Sequence, residues 1–234
     1  MKAFSILRRL LYFCAMISVP LSFNFLSQTL LLLPEKAVFW EEEKTLIIAD
    51  IHLGKVGHFR KAGIGIPKEM EQQDLALISD LIHEYKPLKI IFLGDLFHSD
   101  MNNDWGWLVL WRSLFKKIDM ILVLGNHDIL NDDFYKDLNF ELHDRLEIGP
   151  FLFSHAPLKP NELVNADSYV VCGHIHPGVT LKGGARQILT LPCFHFGARQ
   201  AILPAFGKFT GKVCVKNVKG DQVFGIAKNQ VIRF

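Results

Sequence analysis

Five short apolar runs, each stopping abruptly at residues of metal-binding type, constrain this chain more than any other feature. Leu46-Ile47-Ile48-Ala49 leads into Asp50-Ile51-His52, and Ile90-Ile91-Phe92-Leu93 into Gly94-Asp95. Ile121-Leu122-Val123-Leu124 leads into Gly125-Asn126-His127-Asp128, Phe151-Leu152-Phe153 into Ser154-His155, and Tyr169-Val170-Val171-Cys172 into Gly173-His174-Ile175-His176. Short runs rich in Ile, Val and Phe, mostly bounded by Gly, predict strands buried on both faces. Between them, residues 68–85 carry Leu75, Ile78, Leu81 and Ile82 at helical spacing between Pro67 and Pro87, and residues 104–117 carry Trp105, Leu108, Trp111 and Phe115 in the same way. Strands alternating with helices predict a layered α/β domain. Ligands of such sheets bind beyond the carboxyl ends of the strands, where all five polar clusters fall. From Val179 onward the chain looks β-rich, with turns at Gly183-Gly184 and Lys219-Gly220-Asp221, which predicts a second sheet.

Composition narrows the class. Of 234 residues, 50% are hydrophobic and 21% charged, which excludes a disordered or fibrous chain and allows a single large core. A net charge of +2 is far from the basic excess of an obligate nucleic-acid coat, although it permits a local basic patch. The four cysteines, Cys14, Cys172, Cys193 and Cys214, form no CxxC pair. Buried free thiols in a reducing compartment are expected of them rather than a disulfide framework.

Residues 1–25 are read as an N-terminal apolar extension and residues 26–234 as the domain. Lys2, Arg8 and Arg9 precede the apolar run from Leu10 to Val19, which Pro20 ends. That pattern fits a secretory signal or an anchor, an upstream extension with translation starting at Met16, or a packed segment. A cytoplasmic location is expected, with no stable membrane association unless the run is a genuine anchor.

The donors gathered by the five clusters are Asp50, His52, Asp95, Asn126, His155, His174 and His176. A lone histidine at a strand end is ordinarily a structural residue. Seven donors from five strands converging on one rim are different, because carboxylates placed together resist ionisation unless a cation holds them. Seven also exceed the four of a structural zinc site and suit two metals with positions open to water and substrate.

Asp-x-His, Gly-Asp, Gly-Asn-His-Asp, a later His and Gly-His-x-His, in that order, resemble the calcineurin-like metallophosphoesterases across residues 45–177. The resemblance implies a four-layer αββα sandwich, two mixed β-sheets flanked by helices. It gives Asp50, His52, Asp95 and His176 to one metal, and Asn126, His155, His174 and the shared Asp95 to the other. His127 is implied to face the scissile phosphate as acid or charge stabiliser, with Asp128 orienting its imidazole. A hydroxide generated between the two cations would attack phosphorus. Oxygen and imidazole donors fit Mn²⁺, Fe²⁺ or Zn²⁺, and the resemblance favours Mn²⁺.

Further segments are similar to the bacterial ligase-associated DNA damage response endonucleases (PdeM-type). They include Leu31-Leu32-Leu33-Pro34-Glu35-Lys36-Ala37, His58-Phe59-Arg60-Lys61-Ala62-Gly63-Ile64, Gly94-Asp95-Leu96-Phe97-His98, and the stretch Leu203-Pro204-Ala205-Phe206-Gly207-Lys208-Phe209-Thr210-Gly211. That similarity implies a metal-dependent phosphodiesterase or nuclease acting on single- or double-stranded DNA during repair, functioning beside a DNA ligase and a helicase. Lys55, Arg60 and His98 are the expected substrate-side residues, with Arg186, His195 and Arg199 as weaker candidates. Trp105, Trp107 and Trp111 stack on bases in one reading and pack into the core in the other. Alternatives of other classes are a phosphoesterase on a small-molecule or lipid substrate (cyclic nucleotide, phosphomonoester or pyrophosphate) and a non-catalytic scaffold on the same fold. The complete donor set and His127 argue against the scaffold.

Overall fold

The structure, a computed structural model, describes residues 18–55, 57, 63, 72–98, 101, 102, 104–162, 168–184, 187–208 and 210–234. Among these residues the strands build two mixed sheets. The first holds β1 (Leu21–Phe25), β2 (Gln28–Leu32), β3 (Ala37–Trp40), β4 (Thr45–Ala49), β5 (Lys89–Leu93), β6 (Asp119–Val123) and β7 (Phe140–His143), side by side in chain order. The strands from β1 to β4 form an antiparallel meander, and β4 to β7 run parallel. The parallel connections carry α1 (Gln73–Tyr85), α2 (Trp105–Leu114) and α3 (Asp132–Asp137).

The second sheet contains β8 (Arg145–Ile148), β9 (Phe151–Ser154), β10 (Tyr169–Cys172), β11 (Pro177–Lys182), β12 (Ile188–Phe196), β13 (Gln200–Ile202), β14 (Val213–Cys214), β15 (Gln222–Ala227) and β16 (Gln230–Arg233). Its order is β14-β11-β12-β13-β10-β9-β8, with β15 pairing β12 and carrying β16. Strand β12 pairs β11 through residues 188–192 and β15 through residues 193–196, joining two parts of the sheet.

Alternation along the central strands explains why they read as unbroken apolar runs. Ile47, Ala49, Ile91, Leu93, Ile121 and Val123 point between the sheets, against Phe151, Phe153, Val171, Phe194 and Phe224. Their neighbours Leu46, Ile48, Ile90, Phe92, Met120 and Leu122 point to the other face, under Leu75, Ile78 and Ile82 of α1 and Leu108 and Trp111 of α2. A strand covered on both faces has no polar side to show. Each of the larger of these side chains contributes about 1.5–3 kcal/mol by leaving water. The outer face of the second sheet carries a smaller cluster of Leu152, Val170, Cys172 and Ile202.

The helices end for local reasons. Lys86 closes α1 in a left-handed conformation (φ 49°), its N–H returning to the Ile82 carbonyl, and Pro87 follows. Helix α2 stops at Leu114, short of the expected residue 117. There the buried Arg112 spends its guanidinium on the carbonyls of Phe115, Leu138 and Asn139, tying the helix end to the start of β7.

Two expectations are corrected here. Residues 21–25 are not an extension: they form β1, and Phe23 packs against Phe196 and Phe224 at 4.9 Å while Phe25 meets Tyr169 at 4.6 Å. The domain therefore starts before residue 26; the rest of the N-terminal reading, up to residue 17, lies outside the described residues. Cys172 and Cys193 are buried free thiols as expected, but Cys214 is exposed, because β14 is a two-residue edge strand. Among the described residues no helix is long and apolar enough to cross a membrane.

Candidate metal centre

Strands β4, β5 and β6 run parallel, so their carboxyl ends deliver Asp50 and His52, Asp95, and the 126–128 loop to one rim. Strands β9 and β10, parallel to each other in the second sheet, deliver His155, His174 and His176. The two sheets are stitched together at this point: the His174 N–H donates to Asp50 Oδ2 at 2.9 Å. Within the first sheet His52 N–H donates to the Asp95 carbonyl (2.8 Å), and within the second Gly173 N–H donates to the His155 carbonyl (2.9 Å).

Two triads of donor atoms result, Asp50–His52–His176 and Asp95–His155–His174, each with its ligand atoms within 4.8 Å of one another. Asp95 lies between them. Its Oδ2 is 3.6 Å from His52 Nε2 of the first triad, and its Oδ1 is 3.5 Å from His155 Nε2 of the second. Asn126 joins the second triad, its Oδ1 2.9 Å from His155 Nε2, and His174 Nδ1 approaches the same nitrogen at 3.0 Å. His155 Nδ1 is 3.0 Å from the Leu93 carbonyl, which can only accept, so Nδ1 carries the proton and Nε2 presents its lone pair to the cluster.

The donor set fits divalent cations on its own chemistry. Asp50 Oδ1 and His52 Nε2 are buried without a hydrogen-bond partner, and both belong to the first triad. A native protein leaves such atoms orphaned rarely, and a bound cation would satisfy both. Burial, then the neighbouring Lys55 ammonium, push the His52 pKa far below its usual range, so the imidazole is neutral, the form that ligates. The backbone is also committed to this geometry. Asp50, His52, Asp95, His174 and His176 all have left-handed φ, between 50° and 67°, at a cost of about 1–2 kcal/mol each. Gly125 makes room beside them: a Cβ there would lie 2.3 Å from the Asp95 nitrogen and 2.4 Å from Asp95 Oδ1.

The calcineurin-like phosphoesterase family model matches residues 43–184. The chain is a calcineurin-like phosphoesterase. Membership of this family makes it a metal-dependent phosphoric ester hydrolase. Among solved structures, a Pseudomonas putida nuclease MPE aligns with a TM-score of 0.77 at 26% identity, over 92% of this chain and 100% of that one. Lower similarities are to the Aquifex aeolicus protein of unknown function AQ665 (TM-score 0.41, 21% identity, 56% of this chain and 78% of that one) and to the E. coli phosphoesterase Yfce (0.42, 14%, 80% and 96%). None of the curated proteins matches the chain in sequence.

In this phosphoesterase the remaining predicted residues fall into three groups. Brought to the rim are His127, His98 and Lys55. The His98 ring lies 4.4 Å from that of His127, and its Nδ1 is 3.2 Å from His52 Nδ1. Lys55 is half-buried beside Asp95, whose charge opposes the lowering of its pKa by burial. Arg60 and Arg186 lie outside the described residues.

Others do not do what was expected. Asp128 does not orient the His127 ring. Its carboxylate turns inward to accept the Phe97 and Gly125 N–H groups (3.1 and 2.9 Å) and, more distantly, the Tyr135 hydroxyl, so it braces the loop backbone. Burial raises its pKa to about 6 against the lowering effect of those N–H donors. His195 is buried in β12 on Asp221 Oδ2 (3.0 Å), and Arg199 occupies the turn between β12 and β13. Trp105 and Trp111 are core residues, whereas Trp107 is exposed. Residues the sequence reading did not single out individually are Lys36, Gly207 and Lys212. The 31–37 and 203–211 segments resemble the endonucleases, but nothing in their sequence indicates that they meet beside His176.

Proposed function

We propose that this phosphoesterase is a dinuclear phosphodiesterase that cleaves DNA phosphodiesters, acting in the cytoplasm during DNA repair. The observation that carries the reading is Asp95, with one carboxylate oxygen turned to each donor triad. Asp50, His52, Asp95 and His176 would hold one divalent ion, and Asn126, His155, His174 and Asp95 the second. The all-oxygen-and-nitrogen donor set suits Mn²⁺, with Fe²⁺ or Zn²⁺ as weaker fits. Such ions, when bound, polarise a phosphoryl oxygen and raise the acidity of water.

The chain's own residues supply orientation and the proton. His127 is half-buried at the rim, with its backbone N–H anchored on Asp95 Oδ1 (2.9 Å). Its imidazole would donate to the departing oxygen, a role worth about 10²–10⁴ in rate. His98, packed on His127 and facing His52, holds both rings in place. The exposed His174 leaves the rim open to a large substrate. Similarity to a nuclease supports nucleic acid over a small diester, and the ligase-associated resemblance adds a DNA ligase and a helicase as functional partners.

Hydrolysis of bis-para-nitrophenyl phosphate with added Mn²⁺, followed by cleavage of single- and double-stranded DNA, tests the proposal. Turnover of both is expected. Metal-loaded protein that hydrolyses phosphomonoesters but no diester overturns it.

A further inference from the structure

Two sequence segments that the metal centre leaves unexplained come together against it. Lys36 ends the turn between β2 and β3 in a left-handed conformation (φ 66°), with its N–H returned to the Leu33 carbonyl. Its ammonium reaches across to donate to the Phe206 carbonyl at 2.8 Å. Phe206 and Gly207 are themselves pinned to the end of β4, by N–H donation to the carbonyls of Ala49 (2.8 Å) and Asp50 (3.1 Å). A Cβ on Gly207 would lie 2.2 Å from the Ile51 carbonyl, so this approach is as close as backbones allow. The two segments and His176 line an open pocket of about 110 Å³, to which Thr210, Lys208 and Lys212 also contribute.

This pocket is cationic, and among the described residues none of its ammoniums forms an ion pair. Each ammonium contacts a neutral oxygen: Lys36 the Phe206 carbonyl, Lys208 the Gln73 amide (2.6 Å), and Lys212 the Thr190 carbonyl (3.2 Å). Among the described residues, Asp74 is the acid whose charge acts on Lys36 and Lys208. Burial pushes the Lys36 pKa down to about 8, so holding this cation here works against folding. An anion in the pocket would offset that cost.

We propose that this pocket binds the phosphate adjoining the scissile one in a DNA strand. The assignment rests on the diesterase reading above and extends it. His176 is shared between the pocket and the first donor triad, so a strand with one phosphate at the metal centre lays the next against the lysines. Lysine suits this task as a point charge, fixing register without reading bases.

The test compares kcat/KM for a short single-stranded oligothymidylate, which has neighbouring phosphates, with that for bis-para-nitrophenyl phosphate, which has none. It uses wild type, the exposed-site double variant Lys208→Ala/Lys212→Ala, the variant Lys36→Met, and the distant double variant Lys116→Ala/Lys117→Ala. The pocket variants should lose about tenfold more on the oligonucleotide than on the small ester, chiefly through KM. Their salt dependence for the oligonucleotide should flatten by about 0.7 per lost contact. Equal losses on both substrates, no loss, or the same loss in Lys116→Ala/Lys117→Ala overturns the pocket. Wild type that cleaves neither ester overturns the diesterase reading itself, a failure distinct from that of the pocket.

Discussion

Replacing Gly125 by alanine adds one methyl group and removes no donor, yet it should disable the centre. The new Cβ would lie 2.3 Å from the Asp95 nitrogen and 2.4 Å from its Oδ1, at least about 1 Å inside comfortable contact. One neighbour is backbone and the other is the oxygen that accepts the His127 N–H, so neither yields cheaply. Overpacking of this kind costs about 1–3 kcal/mol, equivalent to a fall in Tm of about 2–12 °C for a chain of this size. A displacement of about 1 Å at a catalytic centre costs on the order of hundredfold in rate, and disturbing a ligand's support lowers metal affinity about 10–100-fold. Thermal unfolding, metal content after gel filtration and kcat/KM on bis-para-nitrophenyl phosphate measure the three effects. Gly106→Ala is the control: nothing lies within 4 Å of its Cβ, and it should stabilise α2 by a few tenths to about 1 kcal/mol. A Gly125→Ala protein with wild-type metal content and turnover would refute the reasoning.

Further outcomes follow from the same geometry. His127→Ala should retain bound metal by elemental analysis while losing about 10²–10⁴ in kcat on bis-para-nitrophenyl phosphate. Excess chelator should lower the Tm of wild type, since an ion at a hundred times its Kd adds about 2.7 kcal/mol, whereas Asp50→Ala/Asp95→Ala should show no such shift. In chelator, wild type should gain stability relative to Lys36→Met as pH rises from about 8 towards 10.5. The folded-state pKa of Lys36 lies below that of the unfolded chain, so folding releases a proton across this window and is favoured by rising pH. Denaturant unfolding at several pH values reads that slope.

Much of this was legible from residues alone. The five strands, their double burial and the donors at their carboxyl ends all follow from apolar runs broken by Asp, Asn and His. What escaped depends on long-range geometry. Strand β1 escaped because Pro20 seemed to close off the apolar run, and its partners Phe196 and Phe224 are far along the chain. Asp128 was assigned to its neighbour His127, but a carboxylate in a tight loop is drawn first to the backbone N–H groups it can reach. His195 was a substrate-side candidate by sequence, but pairing with β15 buries it. The left-handed conformations at Asp50, His52, Asp95, His174 and His176 leave no trace in composition, since those residue types do not require them. The lysine pocket was invisible for a different reason: Lys36 and Phe206 are 170 positions apart.

Each donor triad takes members from both sheets, so neither layer owns a complete set. A fragment ending before residue 151 would keep both aspartates and forfeit every later imidazole. Cation binding thus behaves as a rivet through two plates, and its grip depends on their alignment. A slip of one plate across the other would therefore disturb both positions at once.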